Sequence, residues 1–511
     1  MILLKNFLKK YGFLLFCFAT AALYLLIGSK SSPLYPMNDW VDVNCFFTMG
    51  KSLLHGEIPY VDLYEQKGPV LYFVYAIIAL VSPNSFFGVY LLEVLTYGLF
   101  LYFSGLIAKL YLEDSFLVWL IIAVLGGLIP ITYAFAHGAS VEEMCLFMSA
   151  YGLYVALRAI KEGRTLTFRE SFTCGIWASI LLWIKYTMLG LYLGLAVFII
   201  IWYLCWGFRW KELFKTIGAF FAGIGVITGV VLLFYLLVGA LDDLFTVYFY
   251  NNIFLYPREL EETKLTTITR LLNNSLLINQ AYTLLFLPGL LWAVVRAFKD
   301  IRPLLLLLLS FSGLALGTYW GGWGISYYGL VFAVFTLFGL IGIGELLRLC
   351  KADWLLDWLR RKFPAAAAIL AAIAVGTMLS VNMEHSKNVY LMEYTKEDMP
   401  QYQFAEIIKR YEDPSLLNYG FLDGGFYFAA DVVPNCRFFC YLNVPAPEMF
   451  FVQHKYIEKG LVDFIVTRDR QLTDYHIDNS KYQLAAQSEL YFEGKYRTYY
   501  LYQLIDLTAA G

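Results

Sequence analysis

Apolar residues in this chain gather into long runs, and polar residues into a few stretches between them. Crossing a bilayer core about 30 Å thick takes roughly 17–25 apolar residues in a helix. Runs of that length lie near 12–28, 85–110, 115–134, 141–160, 172–187, 189–207, 214–238, 276–297, 303–320, 326–347 and 364–381. They predict a polytopic α-helical membrane protein with about eleven transmembrane helices. The first run follows Lys5, Lys9 and Lys10 and contains Ala19-Thr20-Ala21, which resembles a signal-peptidase site. Because the apolar run continues to Gly28, an uncleaved anchor is the expectation. A further apolar stretch, 69–82, is too short, covering only about 21 Å as a helix.

Charge decides what the short stretch does. If 69–82 lies along the interface, all the basic clusters fall on one side of the membrane. These are Lys5/Lys9/Lys10, Lys109, Arg158/Lys161/Arg164/Arg169, Arg209/Lys211/Lys215, Arg296/Lys299/Arg302 and Arg348/Lys351/Arg360/Arg361/Lys362. That side is the cytoplasm by the excess of Lys and Arg in cytoplasmic loops. The protein is then a multi-pass cell-membrane protein with its N-terminus in the cytoplasm. Facing outward are a first loop of 29–84, a short loop of 135–140, a third loop of 239–275 and the tail from 383 onward.

In the tail the periodicity changes. A polar helix is expected at 401–412, strands at 416–421 and 461–467, and a hairpin of 482–492 with 497–505 turning at Glu493-Gly494-Lys495. The expected organisation is a transmembrane module, 1–382, followed by an extracytoplasmic α/β domain, 383–511.

Composition agrees. The chain is 60% hydrophobic and 15% charged, with a mean hydropathy of +0.61, against about 25% charged residues in soluble domains. A net charge of −2 leaves no basic surplus for nucleic acid. The eight cysteines are scattered without a zinc-binding pattern; only Cys436 and Cys440 lie together in the tail, where free thiols are expected. Gly50-Lys51-Ser52 resembles the end of a phosphate loop, but Cys45 stands where that motif requires glycine.

Chemistry concentrates in the first loop, where Asp39, Asp42, Glu57, Asp62, Glu65 and Lys67 lie between apolar flanks. Cys45, Phe46, Met49, Leu53 and Leu54 recur at helical spacing and predict an amphipathic helix lying on the membrane. Lys67-Gly68-Pro69 runs into the interfacial segment and puts a cation at the depth of a lipid phosphate. A plain solvated loop is the bland alternative. Lys185 lies between two apolar runs at the outer end of a span, as a functional cation or as a side chain snorkelling to the interface. Glu142 and Glu143 follow Ser140 at a helix start, where capping alone accounts for one acid. His55 and His137 are isolated and read as structural.

Three ordered pieces of this loop carry a resemblance. Asp42, Phe46 and Gly50 come first, then Gly56-Glu57-Ile58-Pro59-Tyr60-Val61-Asp62, then Lys67-Gly68-Pro69; Glu142 and Glu143 follow after the third span. The pattern resembles the GT-C superfamily of lipid-sugar-dependent glycosyltransferases, nearest the family-39 group of protein O-mannosyltransferases and aminoarabinose transferases. It covers about the first 160 residues.

The resemblance implies a membrane glycosyltransferase that moves a sugar from a polyprenyl-phosphate donor to an extracytoplasmic glycan, lipid or protein, in one inverting displacement. It implies Asp42 as the catalytic base, with Asp39, three residues earlier, as runner-up. A lone carboxylate suffices for that chemistry. Cations belong beside the leaving phosphate. Lys67 is the first candidate by family position, Lys185 the second, and Arg258 in the third loop the third. Tyr60 and Asp62 belong to the substrate loop, and Glu142 and Glu143 to acceptor orientation or metal support. No cofactor is required, and a divalent metal is compatible with the acids. The alternative readings are a transporter or flippase of envelope glycolipids, and an assembly subunit that uses the loop for docking.

Overall fold

The computed structural model describes residues 2–207, 210–258, 262–444, 446–492 and 494–505. Arg209 of one basic cluster and Glu493 of the expected hairpin turn lie outside the described residues. The first helices are α1 (Ile2–Gly28), α2 (Val41–Leu54), α3 (Pro69–Val81), α4 (Phe87–Leu112), α5 (Phe116–Leu128), α6 (Val141–Glu162), α7 (Phe168–Lys185), α8 (Gly190–Cys205) and α9 (Trp210–Leu237). Among the described residues, nine stretches are long and apolar enough to cross a membrane. One of them, Phe168–Cys205, doubles back on itself. The Leu166 N–H donates to the Tyr203 hydroxyl at 2.8 Å, so α7 and α8 return to the same end. The turn is at Lys185, whose backbone is extended (φ −159°, ψ 93°), followed by a 3₁₀ turn over Tyr186–Leu189.

Helix α5, in the expected span 115–134, has only 13 residues. Its start accepts a cap from Asp357, which takes the Phe116 N–H at 2.8 Å. In its last turn, the Gly127 carbonyl takes a bond from Asn382 at 2.9 Å. Asp357 and Asn382 bracket nearly the whole of the spanning helix Pro364–His385. With Phe168–Cys205 counted as two helices, the long stretches among the described residues give ten, and α3 and α5 are two shorter apolar helices of 13 residues each. The chain is a polytopic helical membrane protein with a small C-terminal sheet.

The chain folds as two compact units. One comprises Met1–Ser29, Tyr90–Val230 and Arg258–Val389; the other comprises Lys30–Val89, Val231–Pro257 and Tyr390–Gly511. The first unit is the helical body. Its helices lock through buried tyrosines: Tyr24 donates to the Ala123 carbonyl at 2.9 Å and Tyr97 to the Gly126 carbonyl at 2.8 Å. Such bonds hold adjacent apolar helices in register where lipid supplies no competing partner.

The second unit gathers the first loop, the end of α9 with the π-helix that follows it (Leu244–Leu255), and the C-terminal lobe. The lobe carries a four-stranded sheet in the order β1-β2-β4-β3. Its strands are β1 (Leu416–Asn418), β2 (Phe464–Arg468), β3 (Tyr482–Phe492) and β4 (Lys495–Leu504). β1 and β2 are parallel, and β4 is antiparallel to both β2 and β3. Strand β1 is shorter than the apolar run because Gly420, at φ +83°, turns the chain out of the sheet. Leu417, Ile457, Val462, Ile465 and Tyr502 form the core of the lobe.

Helix α2 forms where the periodicity puts it, but it does not lie with a free apolar face on a membrane. It is buried on nearly every side. A Cβ at Gly50 would sit 2.5 Å from the Tyr75 backbone, so only glycine lets α2 press against α3. On another side Phe47 meets Phe428, with ring centroids 4.9 Å apart, and Thr48 donates to Asp423 at 2.6 Å. Of the apolar positions that looked membrane-facing, Cys45 meets Cys440 of the lobe, Phe46 packs on Tyr75 of α3 with ring centres 5.6 Å apart and Met49 is buried, while Leu54 stays exposed. All eight cysteines are free. Cys440 lies nearest Cys45, their sulfurs 3.8 Å apart.

Candidate functional site

In the second unit, the loop between α2 and α3 is a tightly specified turn. Pro59 and Leu63 bridge, the Tyr60 N–H donates to the Leu63 carbonyl at 2.7 Å, and Asp62 accepts the Ile58 N–H at 2.7 Å. Tyr60 takes a left-handed backbone, φ +77°, which a bulky residue adopts only where the surroundings over-determine it. Here they do. Its ring is buried between Tyr235 (5.7 Å, stacked) and Tyr72 (6.0 Å, edge-on). Burial, first, and the neighbouring Tyr235 push the Tyr60 phenol well above its ordinary range, so it stays a donor. It donates to the Lys67 carbonyl at 2.6 Å, as Tyr72 does at 2.9 Å.

Glu65 completes this frame. It is buried and accepts from the Tyr72 hydroxyl. It also takes the Lys67 N–H at 2.8 Å and lies 3.9 Å from the Lys67 ammonium. The π-helix adds two consecutive amides: Asn251 donates to the Tyr64 hydroxyl at 2.8 Å and Asn252 to the Gln66 carbonyl at 2.7 Å. From the lobe, Arg437 donates to the Tyr60 carbonyl at 2.9 Å, while its own carbonyl takes the Tyr64 N–H. Lys67 is thus held at both its backbone groups.

The two acids of the first loop differ. Asp39 is only 1% exposed and forms an ion pair with buried Lys30 at 2.5 Å. The Lys30 ammonium in turn lies 5.7 Å from the Tyr390 ring and 5.8 Å from the Phe492 ring. Asp42 is half-buried in the first turn of α2, where the helix dipole favours a negative charge. Phe46 is one turn on from Asp42, on the same face. The Lys67 ammonium lies over Phe46, 5.6 Å from the ring centre. Asp42 and Lys67 therefore occupy one side of α2, and Asp39 is committed elsewhere.

The helical body holds the remaining candidates. Lys185, at the α7 break, pairs with Glu142 at the start of α6, and its ammonium lies 3.9 Å from the Tyr328 ring centre. The second Glu142 oxygen has no hydrogen-bond partner among the described residues. Glu143 takes the Ala139 N–H at 2.9 Å, and its own N–H is capped by Ser140 at 3.1 Å. Arg258 donates its backbone N–H to Gly321 and lays its guanidinium 4.4 Å over Trp323. Among the described residues there is no group of three or more His, Cys, Asp or Glu arranged to hold a metal ion.

Several members of these networks escape a reading of the sequence alone. Glu65 stands two residues before Lys67, but its role appears only with Tyr72. Lys30 and Arg437 are solitary in the sequence. Glu93 is buried inside an apolar span and accepts from Ser29 and from the Ala139 N–H, both at 2.7 Å. A charge inside a span is itself a signal, the one that singled out Lys185.

No family model matches the chain, and no curated protein matches it. Solved structures do. ArnT from Cupriavidus metallidurans bound to undecaprenyl phosphate has a TM-score of 0.62 at 12% identity, covering 96% of this chain and 99% of that one. The apo state of the same protein gives 0.59 at 12% identity, covering 94% and 97%. Arabinofuranosyltransferase AftD from Mycobacteria gives 0.43 at 11% identity, with 95% of this chain spanning 39% of that one. The architecture is GT-C-like.

Proposed function

We propose that the protein is a membrane glycosyltransferase that takes a sugar from a polyprenyl-phosphate carrier and passes it, with inversion, to an extracytoplasmic glycan, lipid or protein. The observation that carries this reading is the likeness, end to end, to ArnT solved with undecaprenyl phosphate. In this reading the N-terminus is cytoplasmic and the C-terminal lobe extracytoplasmic, following the basic clusters.

Asp42 is the general base. The acceptor oxygen attacks the anomeric carbon, the bond to the carrier phosphate breaks, and the acceptor proton passes to the Asp42 carboxylate. Asp39, neutralised by Lys30, holds the start of the loop. Lys67 meets the leaving phosphate, where a fixed cation stabilises the charge that develops. The Tyr60–Tyr72–Glu65 frame and the Asp62 turn keep it in position. Lys185 and Arg258 are the further phosphate candidates, with Glu142 setting the orientation of Lys185 and Glu143 holding the α6 start. No step requires a cofactor.

The test is a donor screen. Purified protein in liposomes is offered a panel of undecaprenyl-phosphate sugars with envelope extract as acceptor, and the released undecaprenyl phosphate is measured. Acceptor-dependent release supports the reading. Lipid movement across the bilayer without release would support a carrier instead.

A further inference from the structure

The C-terminal lobe contains a pocket of about 340 Å³ that the transfer step does not use. Small-molecule sites span about 300–1,000 Å³. It opens at the carboxyl ends of the two parallel strands. Gly420 and Phe421 follow β1, and Arg468, Asp469 and Arg470 close β2 and lead out of it. That crevice is where sheets of this kind hold ligands, because the chain leaves adjacent strands there in diverging loops.

The lining has two kinds of group. Aromatic rings form the walls. Tyr475 lies so close over Gly420 that a Cβ there would be 2.5 Å from its hydroxyl. Tyr441 and Phe450 stand opposite each other, ring centres 5.2 Å apart, and Phe450 is 45% exposed. The charged groups carry a positive surplus. Asp469 is paired with Arg497. Arg468 stacks 4.8 Å from Phe421 and 5.7 Å from Phe492 and is hydrogen-bonded to the Tyr499 hydroxyl, and among the described residues neither it nor the exposed Arg470 has an ion-pair partner. Flat aromatic faces suit the C–H faces of sugar rings, and guanidinium forks suit a carboxylate or phosphate.

We propose that this pocket binds an anionic saccharide, its acid group held by Arg470 and Arg468 and its ring against Tyr475 and Tyr441. Its role as the recognition element of the acceptor rests on the transferase reading; the binding itself does not.

The experiment uses the full-length protein in nanodiscs and isothermal titration with three probes: trigalacturonic acid, mannose 6-phosphate and neutral maltotriose. At least one acidic probe binds at least about 10-fold more tightly than maltotriose, the worth of one charge-assisted bond, and which one binds separates a carboxylate from a phosphate source. Arg470 is exposed, so Arg470→Ala keeps the lobe folded and lowers that affinity about 10-fold or more. Binding of undecaprenyl phosphate, measured in the same nanodiscs, is unchanged by the substitution. The proposal is overturned if no acidic probe binds, if maltotriose binds equally well, or if Arg470→Ala and Tyr475→Ala both bind like the parent. Acidic-saccharide binding in a protein that transfers no sugar would refute the transferase reading and leave the pocket assignment standing.

Discussion

The Tyr60 hydroxyl donates to the Lys67 carbonyl at 2.6 Å, across a turn in which Tyr60 itself holds a left-handed backbone. The bond ties the residue that shapes the loop to the residue assigned to the donor phosphate. Tyr60→Phe keeps the ring between Tyr235 and Tyr72 and removes the bond to the Lys67 carbonyl, worth about 1 kcal/mol, together with the hydroxyl's contact to Tyr72. Donor affinity should fall about 5-fold, matching that energy, while the rate at saturating donor stays near the parent value. An unchanged donor affinity would show that the turn does not position Lys67.

Lys67 carries the charge that this turn positions. Lys67→Ala should weaken donor binding about 10–100-fold, as expected for a lost charge-assisted bond. Lys67→Arg should recover part of it, since the charge is kept and its geometry altered. Titration with undecaprenyl phosphate checks both; equal affinity in Lys67→Ala and the parent would remove this residue from the site.

The Glu142–Lys185 pair lies inside the helical body. Truncating one partner leaves a buried charge alone, at a cost of roughly 3–5 kcal/mol, whereas removing both costs much less. Glu142→Gln and Lys185→Met should each lower the unfolding temperature in detergent more than the double variant does. If the losses instead add, the pair is not coupled as its geometry implies.

Asp423 gives the lobe a pH dependence. Burial raises its carboxyl from 3.8 to about 6, against the bonds from Thr48 and the Gly425 N–H, which lower it. Between those values the native state holds a proton that the unfolded state has lost. The contribution of this group therefore falls as pH rises from 3.8 to about 6, by up to about 3 kcal/mol. Asp423→Asn should flatten stability over that interval and raise it at pH 7. A steeper dependence in the variant would contradict the assignment.

These residues also mark where the sequence runs out. The spans, the α2 helix and the β3–β4 hairpin follow from apolar run length and periodicity, which are local. Even the α7–α8 hairpin is legible, because two spans cannot be joined otherwise without leaving the membrane. The surroundings of α2 are not, since Phe428, Asp423 and Asp431 reach it from distant sequence. Nor could the spacing of Asp39 and Asp42 decide between them. What separates them is Lys30, an unremarkable lysine in the sequence that takes Asp39 as its buried partner.

That separation sets the central test. Asp42→Asn and Asp39→Asn are compared with the parent in single-turnover transfer from pre-bound donor, with donor affinity and unfolding temperature measured on the same samples. A general base contributes about 10²–10⁴-fold. The expected result is a loss of that size for Asp42→Asn with donor affinity and stability retained, and for Asp39→Asn a fall in stability with most of the rate kept. A fast Asp42→Asn variant beside a stable but inactive Asp39→Asn variant would contradict the assignment of Asp42 as the base.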